Sequence, residues 1–165
     1  MPPRVERPLM AAYGVGPDLA GSLPWSWAQE RLLSCRNYWV ATVSPAGTPH
    51  AMPVWGIWRP ADETFWFSCA PSSLKARNLA GNASIVFTTG DTTEVVSVEG
   101  SATLHSESRT VAAEYAAKYE RDLSKRADLV EFLLANSMFR VKPIKALGII
   151  EREEEFARSA TRWVW

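Results

Sequence analysis

The sequence predicts one mainly β (α+β) domain, a small barrel with helices packed around it. Short runs of aromatic and β-branched residues recur from Tyr38 onward, and turns rich in Pro, Gly and Asp separate them. Stretches with helical spacing are few and lie before or between these runs. The 165 residues suffice for one compact core, and no repeat or domain-scale linker divides them.

Residues 1–23 are rich in Pro and Gly and lack periodicity, so they read as an extended arm. Leu9, Met10, Tyr13 and Val15 argue that this arm packs on its own domain or on a partner subunit. The domain proper then spans 24–165. A short helix is expected from Trp25 to Cys35, with Ser26 and Gln29 at capping-box spacing. Tyr38 to Ser44, His50 to Trp58 and Thr64 to Cys69 form a three-stranded meander. Its turns are Pro45–Thr48 and Arg59–Glu63. Pro53 implies a bulge or an edge, because proline cannot donate to the ladder. Phe65 and Phe67 share one face of their strand; Thr64, Trp66 and Ser68 share the other.

A short helix follows at Ser73 to Leu79, then a strand from Ser84 to Thr89. The strand from Glu94 to Leu104 is expected to bulge or bend at Gly100. Glu107 to Leu123 is the clearest helix, with Val111, Tyr115 and Lys118 or Tyr119 in helical register. Asp128 to Ala135 is a further helix. Two late strands are expected, Met138 to Lys142 and Ala146 to Glu151, and the tail Ala160 to Trp165 alternates as a final strand.

Composition narrows the function. Eighteen basic residues balance eighteen acidic ones, without the basic excess of a general nucleic-acid binder. Cys35 and Cys69 stand far apart with no CxxC or Cys/His spacing, and His50 and His105 make no metal site by themselves. No apolar run reaches membrane-spanning length and no signal-peptide pattern opens the chain, so a cytoplasmic location is expected. Eight tryptophans favour a large core, a subunit interface or a ring-binding pocket.

The segment Pro71-Ser72-Ser73-Leu74-Lys75-Ala76-Arg77-Asn78-Leu79 carries the most chemistry. Two hydroxyls, a lysine and free first-turn amides converge where a helix starts. The amides and the helix dipole favour an anion such as phosphate. A plain serine cap accounts for the same residues.

Four passages together resemble a known family: Arg36 to Val43, Pro49 to Gly56, Ser73 to Leu79, and Ala160 to Trp163. Val98 to Ala102 adds a weaker fifth. In their order and spacing the chain resembles the pyridoxamine 5'-phosphate oxidase-like split-barrel flavoproteins, and within them the actinobacterial branch that uses the deazaflavin F420 or FMN. The resemblance implies a six-stranded split β-barrel with peripheral helices. It also implies a homodimer with cofactor sites at the interface. Met52, Pro53, Val54 and Trp55 would line the tricyclic ring, joined by Phe67 and Ser68. Ser73 and Lys75 would hold the phosphate. Asn78, one turn on, would join them or brace the loop. Arg162 and Trp163 would approach from the C-terminal strand.

Two departures argue against a true pyridoxamine phosphate oxidase. Leu74 stands where those oxidases carry a second cation, and Val95-Val96-Ser97-Val98 lacks their glutamine and arginine. The expected activity is hydride transfer between F420, or alternatively FMN, and a small hydrophobic or conjugated substrate. No catalytic side chain is assigned; Tyr38, His50 and Tyr13 have proton-donor chemistry but equally suit packing or surface roles. Lys75, Arg77, Lys118, Arg121, Lys125 and Arg126 would make a basic groove for the F420 tail, or simply a solvated face. Two other classes remain open: a non-catalytic flavin or F420 carrier, and a haem-binding relative on the same fold.

Overall fold

The computed structural model describes residues 2–105, 108–119 and 128–165. Its strands are β1 (Arg4–Glu6), β2 (Asn37–Val43), β3 (Pro49–Arg59), β4 (Thr64–Cys69), β5 (Ser84–Thr88), β6 (Glu94–His105), β7 (Ser137–Ile150) and β8 (Thr161–Val164). Its helices are α1 (Trp25–Ser34), α2 (Leu74–Gly81), α3 (Arg109–Tyr119), α4 (Leu129–Leu134) and α5 (Phe156–Ser159). The strands run β7-β4-β3-β2-β5-β6 and β6 pairs back onto β7, closing a six-stranded antiparallel barrel. Strands β8 and β1 continue the sheet from the second half of β7.

The pleat sorts side chains between two cores. On β4, Phe65 and Phe67 point into the barrel, where Phe65 stacks on Phe87 at 4.2 Å and Phe67 on Phe139 at 5.3 Å. Trp66 points the other way and packs with Val111, Tyr115, Tyr119, Leu129, Leu133 and Met138, beneath α3 and α4. Each such burial contributes about 1.5–3 kcal/mol. The expected alternation of this strand is therefore present, and both of its faces are covered.

Three local expectations meet a physical reason in the barrel. Pro53 pairs with Trp39 in an unbroken β2–β3 register, without a bulge. It is tolerated because β4 pairs with β3 only from Gly56 onward, so one edge of β3 is free at Pro53. The β6–β7 register shifts between Glu99 and Gly100. A Cβ on Gly100 would lie 2.5 Å from the Lys142 carbonyl oxygen, so only glycine allows this approach. The two expected late strands are one continuous strand, β7. Pro143 falls at that bulge opposite Gly100, where its missing N–H interrupts the ladder without ending the strand.

Helix starts also differ. Helix α1 begins at Trp25 with Pro24 as its cap and no side-chain cap bond, so the Ser26–Gln29 box is not used. Trp25 packs edge-on against Trp58, Trp163 and Trp165, which draws it into the first turn. Helix α3 follows Ser108, whose Oγ accepts the Val111 amide; the rest of the long helix expected at Glu107 and from 120 to 123 lies outside the described residues. Helix α5, of four residues, is too short to leave a periodic signal.

The arm joins its own sheet. Val5 pairs with Trp163 and Glu6 with Arg162. The Arg7 guanidinium donates to four carbonyls, those of Asp18 (2.6 Å), Ala20 (2.5 Å), Arg158 (2.7 Å) and Ala160 (2.7 Å). One side chain thus ties the arm to the turn before β8.

Candidate functional site

A hollow of about 420 Å³ lies where β3, the end of β4 and the start of α2 meet α3 and α4. Its lining includes Pro53, Val54 and Trp55 from β3, Ser68 and Cys69 from β4, and Ser73 and Lys75 from the start of α2. Tyr115, Phe132, Leu133 and Asn136 close it from the helices and the turn after α4. Six of the residues expected at a site from sequence therefore share one concavity. Its size suits a small organic ligand.

One end of the hollow is polar. Ser73 caps α2: its Oγ accepts the Ala76 amide at 3.3 Å. That leaves the Leu74 and Lys75 amides without a partner among the described residues. Lys75 makes no ion pair among them either. A cation, two amides and the positive end of a helix dipole together make an anion end. Ser68 Oγ is buried and has no hydrogen-bond partner among the described residues. A buried hydroxyl costs free energy until something bonds it, and a polar ring atom in the hollow would do so. Burial raises the Cys69 thiol, opposed by a hydrogen bond from Ser73 and the charge of Lys75. Burial pushes the Tyr115 hydroxyl well above its usual range, so it stays protonated.

The other end is apolar and flat. The Trp55 ring stacks on Tyr119 with centroids 4.6 Å apart and planes 10° from parallel. Phe132 and Leu133 add aliphatic and aromatic surface. An elongated ligand with an anionic group at one end and a planar ring at the other matches this polarity.

The remaining expected residues lie elsewhere in the chain. Met52 neighbours Pro53 but is 57% exposed and does not line the hollow. Phe67 is fully buried inside the barrel. Asn78 is buried beneath α2, where its Nδ2 donates to Thr42 Oγ1 at 3.0 Å and lies 3.4 Å from His50 Nδ1. It braces α2 against β2. Arg162 is held by Glu6 at 2.5 and 2.8 Å, beside a second hollow of about 450 Å³ under the arm. Trp163 is 0% exposed and packs on Trp25. Of the possible proton donors, Tyr38 is buried with its hydroxyl on the Leu32 carbonyl at 2.5 Å, and Tyr13 is exposed on a 3-10 turn. Neither they nor His50 line the hollow.

Sequence reasoning missed the wall built by Tyr115, Phe132, Leu133 and Asn136. Their helical spacing signals only a buried face, and nothing local says what that face meets. The basic groove also changes. Lys118 turns inward and donates to the carbonyls of Cys35 (2.6 Å) and Gly56 (2.8 Å) and to Tyr38 Oη (3.1 Å). Arg77 donates to the Ser72 carbonyl, and Arg121, Lys125 and Arg126 lie outside the described residues.

Burial lowers the Lys118 amine from 10.5 to about 8, with the nearby Arg36 charge adding to the effect and Cys35 opposing it. The unfolded chain therefore holds more protons than the folded one between about pH 8 and 10.5, and this group makes stability rise with pH across that window. The melting temperature of the wild type is expected to climb relative to Lys118→Met from pH 8 to pH 10. Parallel curves for the two proteins would mean that Lys118 titrates normally.

Solved structures of other proteins share this fold. A conserved hypothetical protein from Mycobacterium tuberculosis superposes with a TM-score of 0.65 at 21% identity, over 79% of this chain and 86% of that one. An F420 reductase superposes with a TM-score of 0.59 at 20% identity, over 72% and 94%. The haem storage protein HutZ from Vibrio cholerae does so with a TM-score of 0.55 at 17% identity, over 72% and 86%. At these identities the likeness establishes the fold. No curated protein matches the chain. The sequence model of the pyridoxamine 5'-phosphate oxidase family matches residues 27–147, from the first turn of α1 to three residues short of the end of β7. That span holds the whole wall of the hollow and all of the six barrel strands but those last three residues, and the chain belongs to the pyridoxamine 5'-phosphate oxidase family.

Proposed function

We propose that this protein is an oxidoreductase that holds F420, or alternatively FMN, in the hollow between β3, β4 and α2. It would transfer a hydride between that cofactor and a small hydrophobic or conjugated substrate. The observation that carries the reading is the lining of the hollow: Ser73, Lys75 and open amides where α2 starts, the unpartnered Ser68 hydroxyl from β4, and the Trp55 ring from β3. The bound cofactor supplies the hydride chemistry. Lys75 and the α2 amides would bind its phosphate, Ser68 Oγ would bond the polar edge of its ring, and Trp55 would fix the ring plane. Phe132 and Leu133 would keep water from that wall. Tyr115, held neutral, serves as a hydrogen-bond donor rather than a base.

We assign the working unit as a homodimer. Trp39 is 49% and Met52 57% exposed beside the hollow's β3 wall, as an interface would require. Arg162 and Trp163 of this chain lie away from its own hollow. Any contribution from them to a cofactor site is therefore to the partner's. The choice of F420 over FMN rests on the branch that the sequence resembles. The turned-in Lys118 leaves Lys75 as the cation in the hollow's lining.

A haem-binding reading receives less support. Neither histidine lines the hollow: His50 sits by Asn78, and His105 lies edge-on to Trp66 at 5.3 Å. Titration of the purified protein with F420 and separately with FMN, followed by tryptophan quenching, tests the proposal. Saturable binding of either is expected. Binding of neither, or a Soret band in the isolated protein, would overturn it.

A further inference from the structure

Residues 36 and 56 are the next pair after Asn37 and Trp55 in the β2–β3 register, yet they do not pair as strands. The Tyr119 hydroxyl stands between them. It accepts the Gly56 amide at 2.8 Å and donates to the Arg36 carbonyl at 2.5 Å. One phenol therefore takes the place of one rung of the ladder and bridges the two chain segments just beyond the last β2–β3 pair. The Gly56 carbonyl, 2.9 Å from the same hydroxyl, receives the Lys118 ammonium at 2.8 Å. A side chain cannot be added at Gly56, since a Cβ there would lie 2.4 Å from the Phe65 ring. The backbone at this point is thus pinned from three sides: by Phe65, Lys118 and Tyr119.

The pinned residue follows Trp55 directly, and the Tyr119 ring is also the surface on which Trp55 stacks. The Arg36 guanidinium lies 5.9 Å from the centroids of both rings. Neither Lys118 nor Tyr119 lines the hollow, while Tyr115, one turn earlier on α3, does. Helix α3 therefore meets the hollow directly through one residue and indirectly through two.

We propose that Tyr119 and Lys118 are positioning residues: by gripping Gly56 just beyond the last β2–β3 pair, they set the Trp55 ring in the ligand-facing wall. The proposal rests on reading the hollow as the cofactor site, and it assigns to α3 a function that packing alone does not require. Tyr119→Phe keeps the ring and the stack but deletes the rung. The two strands then close up or admit water, and Trp55 turns with them.

The test uses the full chain at a temperature well below melting, where all variants are folded. The Kd for F420 or FMN, whichever the wild type binds, is expected to rise about tenfold in Tyr119→Phe, the scale of one hydrogen bond. Val96→Ala, a cavity inside the barrel at a residue outside the hollow's lining, serves as the stability control. It should lower the melting temperature and leave Kd unchanged. A Tyr119→Phe protein with a lowered melting temperature and wild-type Kd would overturn the proposal, since a merely structural role predicts that pattern. Should the wild type bind neither cofactor, the reading of the hollow fails and a second measurement decides the positioning. The contribution of Trp55 to the near-UV circular dichroism, taken as wild type minus Trp55→Phe, is expected to change in the Tyr119→Phe background and not in Val96→Ala. The same contribution in all three backgrounds would overturn it.

Discussion

Trp163→Ala is expected to lower the stability of the fold by about 3–5 kcal/mol, the range for deleting a large aromatic from a packed core. Trp163 is 0% exposed. Its ring approaches so closely that a Cβ on Gly148 would lie 2.4 Å from it, and it packs on Trp25 at 5.3 Å. The residue also pairs with Val5 of the arm and Ala146 of β7, so it joins β1 and β8 to the barrel. A typical domain is stable by about 5–15 kcal/mol, so this one substitution threatens the fold itself. Urea denaturation of the wild type and Trp163→Ala checks it; a loss under about 1 kcal/mol would show that the chain end adds little to the core. Trp163→Phe should recover part of the loss, because it refills part of the cavity. Its Nε1 is buried without a hydrogen-bond partner among the described residues, so removing that N–H carries no bonding penalty.

Lys75→Ala is expected to weaken cofactor binding by about 1.5–3 kcal/mol, the scale of a hydrogen bond to a charged group. That corresponds to a rise in Kd of roughly ten- to 150-fold. Little stability should be lost with it, because Lys75 makes no ion pair among the described residues and lies beyond the cores. The contrast with Trp163→Ala is the useful part. One variant should lose structure before binding, the other binding without structure. Calorimetric titration with the cofactor, paired with a melting curve, separates them. Unchanged affinity in Lys75→Ala would remove Lys75 from the phosphate end and leave the α2 start as a plain serine cap. Raising the salt concentration should narrow the gap between the two proteins, as it screens a half-exposed lysine.

The polar end of the hollow was legible before the fold was seen. A serine cap followed two residues later by a lysine writes a helix start and a cation into adjacent positions. Met52 to Trp55 are pointed to only by the family resemblance, and of these Pro53, Val54 and Trp55 line the hollow. The opposite wall was not legible. Leu133 and Tyr115 read as core, and Phe132 as a single exposed aromatic. Lys118 illustrates the limit most sharply. At helical spacing it is one of several surface cations, and only the packed helix shows its ammonium facing two carbonyls and a phenol. The unbroken strand β7 reads as two in the sequence because Pro143 signals a stop locally, while the bulge that tolerates it is set by Gly100 on another strand.

By itself, then, the sequence determined what depends on neighbours a few residues apart. It set the two faces of β4, the turns of the meander, the start of α2 and the bend at Gly100. These follow from side-chain parity, caps and backbone freedom, which act over one turn or one pleat. The tertiary structure alone decided which residues face one another across the hollow. Closure of β6 onto β7 made the barrel, the packing of α3 brought Tyr119 between Arg36 and Gly56 over more than sixty positions, and the placing of α4 completed the wall. Such contacts satisfy burial and hydrogen bonding for the whole chain at once, and no local pattern carries that sum.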